Sequence, residues 1–158
     1  MSESAFGFKR PEDSPGLLLW QTTVTWQRLI KNALAKYEIS HPQFVIMAIL
    51  LWFTEKGEDP TQIAIIRLSK LDKMTVSQSL KKLCQQNLVV RAEHEQDTRA
   101  KSVHLTQKGQ ALAAQLVKVV EKIDADFFGQ LTQHEGESLV QVLGALNQDA
   151  TSPPDSQN

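Results

Sequence analysis

The sequence predicts a mainly α-helical fold with one small β-hairpin, on three observations. Apolar residues recur at steps of three and four along most of the chain, as helices that bury one face require. The period shortens to two only near residues 88–92 and 101–106, where two strands are expected. Polar residues, with Gly or Pro, separate the periodic stretches.

The elements follow in order. Residues 1–13 form a polar N-terminal arm. Ser14 is a natural N-cap and Pro15 suits the first helical position. Leu19, Thr23, Trp26, Ile30, Ala33 and Tyr37 line one face of the first helix, and Trp20, Val24 and Leu34 broaden it enough to meet two surfaces. Ser40 and Gln43 have capping-box spacing for a second helix. Residues 44–53 are apolar nearly all round, which puts that helix in the middle of the fold. Residues 56–60 end it. A short third helix covers 61–70, with Ile63, Ile66 and Leu68 expected inward. Asp72 can cap a fourth helix, whose inward set is Val76, Leu80 and Leu83. The two strands follow, with Val103 and Leu105 on one face and a polar loop at 93–100 between them. Thr106 can cap a fifth helix over 107–129, with a stripe of Leu112, Leu116, Val119, Ile123 and Phe127. At 1.5 Å per residue it spans roughly 35 Å, long enough to outreach its own domain and pack on a partner. Thr132 and Glu135 form another capping box before a last helix carrying Leu139, Val142, Leu143 and Leu146. Residues 149–158 read as a disordered tail.

Composition narrows the function classes. The chain has 158 residues, 41% hydrophobic and 22% charged, ordinary for one globular domain with or without dimerisation extensions. The 44–53 run is too short to cross a bilayer, which takes about 20 residues, and the N-terminus lacks a secretory signal pattern. No membrane association is expected, and a soluble cytoplasmic protein is. Cys84 is the one cysteine, and His41, His94, His104 and His134 are scattered, so neither a disulfide nor a metal is expected. No cofactor is implied. An enzyme would need a nucleophile with its base, a paired carboxylate cleft or a glycine-rich phosphate loop, and no such pattern occurs.

The net charge is −1, but it is unevenly spread. Residues 61–109 carry nine basic and four acidic side chains, while the remainder carries eight basic and fourteen acidic. Such asymmetry points to a basic face aimed at a polyanion, although chance clustering on a solvated surface gives the same count.

Helix, turn, helix and two-stranded hairpin, in that order, make a winged helix-turn-helix, whose second helix enters the major groove of double-stranded DNA. Here that helix presents Lys73, Thr75, Ser77, Gln78, Lys81 and Lys82. Gln78 can pair bidentately with adenine, and the lysines hold phosphates or guanine. A solvated amphipathic helix usually shows Glu and Lys four apart, whereas no acidic residue lies between Lys73 and Arg91. At the hairpin, Arg99 can enter a narrow minor groove with Asp97 holding its guanidinium and Lys101 close by. The other reading of Asp97 and Arg99 is a surface ion pair within a turn. A protein-docking surface is the rival use of such a domain, and the basic face argues against it.

Residues 61–109 resemble the DNA-binding lobe of MarR-type regulators. The matching residues are Leu71-Asp72-Lys73, Thr75-Val76-Ser77, Leu83, Leu88-Val89, Arg91, Asp97, Arg99-Ala100, Val103, Leu105-Thr106 and Gly109. Three departures stand out. Asn87 replaces a usual Gly, which a left-handed turn tolerates; Thr98 replaces a common second wing arginine; Ala64-Ile65 replaces Glu-Leu. The resemblance implies a homodimer on a pseudo-palindromic operator, often a repressor, with dimerisation regions at 14–58 and 107–148 around a DNA-binding lobe at 59–106. It also implies release from DNA by a small aromatic effector in a cleft, for which Trp20, Trp26, Phe44 and Met47 are candidates beside their reading as core. Cys84 reads as structural, with redox sensing the alternative.

Overall fold

The computed structural model describes residues 2–58, 60–93 and 101–148. Six α-helices and one hairpin appear among them: α1 Pro15–Leu34, α2 His41–Glu55, α3 Gln62–Ser69, α4 Lys73–Gln85, β1 Val89–Glu93, β2 Lys101–Leu105, α5 Gln107–Phe128 and α6 Gln133–Leu146. The chain divides into two compact units, Met1–Ile123 and Asp124–Asn158. Wing loop 94–100 and tail 149–158 lie outside the described residues.

Local chemistry sets the helix starts. Ser14 Oγ accepts from the Leu17 N–H at 3.2 Å, with Pro15 at the first position of α1. The Ser40 box closes both ways: Gln43 N–H donates to Ser40 Oγ at 3.2 Å, and Ser40 N–H to Gln43 Oε1 at 2.8 Å. Thr61 caps α3, and Thr106 Oγ1 accepts from the Gly109 N–H at 3.0 Å to start α5. Each cap satisfies an amide that the helix leaves orphaned. Helix α2 ends in a Schellman turn: Gly57 adopts φ 70°, and the Glu58 and Gly57 N–H groups reach back to Phe53 and Thr54 carbonyls.

In the first unit α2 is the hub, packed by α1, α3, α4 and β2. Its Phe44, Ile46, Met47 and Leu50 join Ile30, Leu34, Ile65, Leu80, Leu83, Val103 and Leu116 in one core cluster. The hairpin is antiparallel, with Val89 opposite Leu105 and Arg91 opposite Val103. The far edge of β2 is held by the chain before α3: Val103 N–H donates to the Pro60 carbonyl at 3.0 Å, and Thr61 bridges Ser102.

Two expected faces are corrected. In α3, Ile65 is the fully buried residue, while Ile63 and Leu68 are more than half exposed. Four large aliphatic residues among eight do not fix a helical phase, and docking against α2, α4 and β2 decides it. In α5 the buried line is Gly109, Ala113, Leu116 and Val120, with Leu112, Val119, Ile123 and Phe127 on its flanks, half-buried. Small residues mark the close approach. A Cβ on Gly109 would land on the Leu88 carbonyl oxygen. Tyr37, expected at the end of the first helix, lies in a separate 3-10 turn, Ala35–Tyr37.

In the second unit α6 opens with a complete capping box between Thr132 and Glu135. Those bonds hold the Glu135 carboxyl below its ordinary range, first through the Thr132 backbone and then through its hydroxyl. No residue of α6 is buried.

Candidate nucleic-acid interface

Helix α4 is a strongly two-sided element. Val76, Leu80 and Leu83 are fully buried and Ser79 nearly so, as the steps of three and four require. Lys73, Gln78, Lys81 and Lys82 are exposed, and Thr75 and Ser77 are half-buried. No acidic side chain belongs to α4 itself.

The amino end is locked by Asp72. Its carboxylate accepts the Thr75 N–H at 2.7 Å and the Thr75 hydroxyl at 2.8 Å. These bonds, the backbone one first, lower the Asp72 pKa. The Thr75 hydroxyl proton is therefore committed within the chain, which leaves its oxygen as an acceptor only.

The carboxyl end is tied down more heavily. Asn87 takes the left-handed conformation, φ 61°, and the Asn87 and Leu88 N–H groups bond to the Cys84 and Leu83 carbonyls in a Schellman turn. The substitution of Asn for Gly is thus accommodated where the sequence places it. Gln86 is a junction. Its side chain accepts from buried Gln43 at 3.1 Å and donates to the Glu38 carbonyl at 3.1 Å, while its own carbonyl accepts from Lys108 Nζ at 3.4 Å. The Thr106 hydroxyl adds a 2.7 Å bond to the Asn87 carbonyl.

Two residues at this surface were missed from sequence. Arg91 reaches from β1 to donate to the Ser77 carbonyl at 2.9 Å, fastening the hairpin to the middle of α4. Its Nε is buried without a hydrogen-bond partner among the described residues. Arg91 also lines an open cavity of about 480 Å³ with Ser77, Lys81, Cys84 and Gln85. Alternation along β1 could have flagged it, since it falls on the face of buried Val89. Met74 is the second, 69% exposed on the first turn of α4. A helical wheel centred on Val76 and Leu80 puts it on the outward face.

The remaining candidates do not converge. Asp97 and Arg99 lie outside the described residues, as does the side chain of Lys101. Phe44 and Met47 are in the core cluster, Trp20 is 70% exposed, and Trp26 stands edge-on to His41 at 5.2 Å between ring centres. A cavity of about 700 Å³ opens beside His41, lined also by Gln27, Lys31, Lys82 and Gln86, and by none of those four. Cys84 is a half-buried free thiol. No helix among the described residues is long and apolar enough to cross a membrane.

Comparison with known proteins fits this geometry. Residues 35–122 match the ArnR1-like winged-helix domain. The chain is 34% identical over 128 residues to the uncharacterized HTH-type transcriptional regulator YdcH of Bacillus subtilis, covering 81% of this chain and 87% of that one. The fold is shared with BpsR of Bordetella bronchiseptica, a structure concerned with regulation of DNA binding by 6-hydroxynicotinic acid, at TM-score 0.79, 21% identity and coverage of 90% and 99%. It is shared also with a MarR mutant from E. coli complexed with operator DNA, at TM-score 0.75, 21% identity and coverage of 89% and 99%. The domain match over more than half the chain and the identity across four-fifths of it carry one conclusion: the chain belongs to the MarR family of DNA-binding, winged helix-turn-helix transcription regulators.

Proposed function

We propose that the chain acts as a homodimer that binds a pseudo-palindromic operator, represses transcription from it, and lets go when a small aromatic effector binds. The observation that carries this reading is α4, with exposed Lys73, Gln78, Lys81 and Lys82 over a buried inner face of Val76, Ser79, Leu80 and Leu83 and no acidic residue of its own. Lysines neutralise phosphates, and Gln78 offers an amide to adenine. Arg99, with Asp97 and Lys101, serves the minor groove. Residues 59–106 act as the DNA-binding lobe, and 14–58 and 107–148 as the dimerisation regions. The dimer is supported by exposed apolar side chains at both ends, Leu18, Leu19 and Trp20 near the start and Val140, Val142 and Leu146 near the end. The operator complex of the E. coli protein and the 6-hydroxynicotinic acid regulation of BpsR supply the precedents. The cavity at His41, whose rim carries Lys31 and Lys82 against a single carboxylate, Glu38, is the candidate place for an aromatic anion. A cytoplasmic protein follows from this role.

A gel-shift with duplex DNA from upstream of its own gene tests the reading. Two lobes making about 6–10 phosphate contacts lose roughly 10³–10⁵ in affinity between 50 and 200 mM salt. A flat salt response overturns it. Light scattering should give twice 17.7 kDa.

A further inference from the structure

We propose that Met74 reads the 5-methyl group of one thymine in each half-site. The inference rests on the DNA-binding reading above and assigns a specificity residue to it. In α4 the buried side chains of Val76, Ser79, Leu80 and Leu83 define the inward direction. At 3.6 residues per turn, the line directly opposite runs through Met74, Gln78, Lys81 and Gln85. All four are exposed. Met74 is the member on the first turn, the part of a recognition helix that reaches base edges. Its flanking Thr75 hydroxyl is already spent on Asp72 at 2.8 Å, and the Asp72 cap fixes the turn that carries it.

The chemistry of the side chain then selects its target. A thioether has no proton to give to a phosphate or to a base acceptor. It is unbranched and polarizable, and it gains by covering apolar surface. The major-groove edge of thymine carries a methyl group that no other unmodified base pair presents. Leaving Met74 69% exposed in the free protein keeps that apolar surface available for such a contact. Gln78, one turn further along the same line, addresses a neighbouring base, so the two side chains read adjacent parts of a half-site by different chemistry.

The test uses the full chain. Preferred duplexes are selected from a random pool, and each thymine of the resulting site is replaced in both half-sites by deoxyuridine, which removes only the methyl group. One symmetric position should lose about fourfold per half-site, about fifteenfold for the pair, on the scale of one buried methyl group. Met74→Ala should bind the unmodified site more weakly and be indifferent to deoxyuridine at that position alone. Met74→Leu should keep the sensitivity, and 5-methylcytosine at that position should bind better than cytosine. Melting temperatures of both variants should match the parent, because the side chain is outside the core. Identical deoxyuridine profiles for the parent and Met74→Ala overturn this assignment while DNA binding stands. Recovery of no preferred duplex overturns the DNA-binding reading and this one with it.

Discussion

Helices α4 and α6 are nearly equal in length, 13 and 14 residues, yet they offer opposite surfaces to solvent. Helix α4 buries Val76, Ser79, Leu80 and Leu83 within its own chain and exposes lysines and amides, with Met74 the single large apolar side chain among them. Helix α6 buries nothing and exposes Val140 at 73% and Leu146 at 71%. A buried apolar face with a charged outer one is complete as a fold and open toward a polar ligand. An apolar face left in water is incomplete within one chain and open toward protein. The same degree of exposure therefore signals two kinds of partner, and side-chain chemistry distinguishes them.

The largest expected effect attacks the completed side. Leu80→Ala should cost about 2–5 kcal/mol, transfer and cavity together. Urea midpoints should show the loss at every protein concentration. Leu146→Asp should do the reverse: little change in the fold of the first unit, but a loss on the order of 1.5–3 kcal/mol of association per copy. Light scattering across a dilution series should then move toward 17.7 kDa. A concentration-independent loss from Leu146→Asp would erase the contrast between the helices. Next comes Gly109→Ala, which drives a methyl group onto the Leu88 carbonyl and should cost about 1–3 kcal/mol by thermal melting.

On the smallest effect the two helices should agree. Asp72 and Glu135 both have carboxyl pKa values lowered by hydrogen bonds at a helix start. A lowered folded-state pKa contributes stability that is present above the unfolded value and lost as pH falls through the folded one. Stability should therefore decline on acidification through the ordinary carboxylate range and below it, about pH 5 toward pH 2. Asp72→Asn and Glu135→Gln should each flatten that decline slightly in urea titrations.

Local chemistry was the legible part. Caps at Ser14, Ser40, Asp72, Thr106 and Thr132 involve partners within three residues, so sequence spacing already contains them. The inward set of α4 was legible because Val76, Leu80 and Leu83 are its only aliphatic residues at helical spacing. Phase in α3 was not, since Ile63, Ile65, Ile66 and Leu68 surround half a short helix. The α5 line was offset because Gly109 and Ala113 are small, and counting large apolar residues passes over the places where backbones come closest. At the interface, Met74 escaped a search for charges and hydroxyls, and the Thr75 hydroxyl turned out to be engaged with Asp72. Arg91 escaped because its partner, a carbonyl in α4, leaves no mark in the sequence.

The Gln86 junction makes α4 a cantilever. Its root is clamped by bonds from Gln43 and Lys108 and to Glu38, and Arg91 braces it at midspan. Its tip, at Lys73 and Met74, rests on Val76 and the Asp72 cap. Deflection of such a beam grows with distance from the root, so amide exchange should quicken from Leu83 toward Met74. The clamp also joins the root to Thr106 and Lys108 at the start of α5. If those bonds hold, a shift of that first turn carries the root of α4 with it, and exchange at the Gln86 and Asn87 amides is the measurement that reports it.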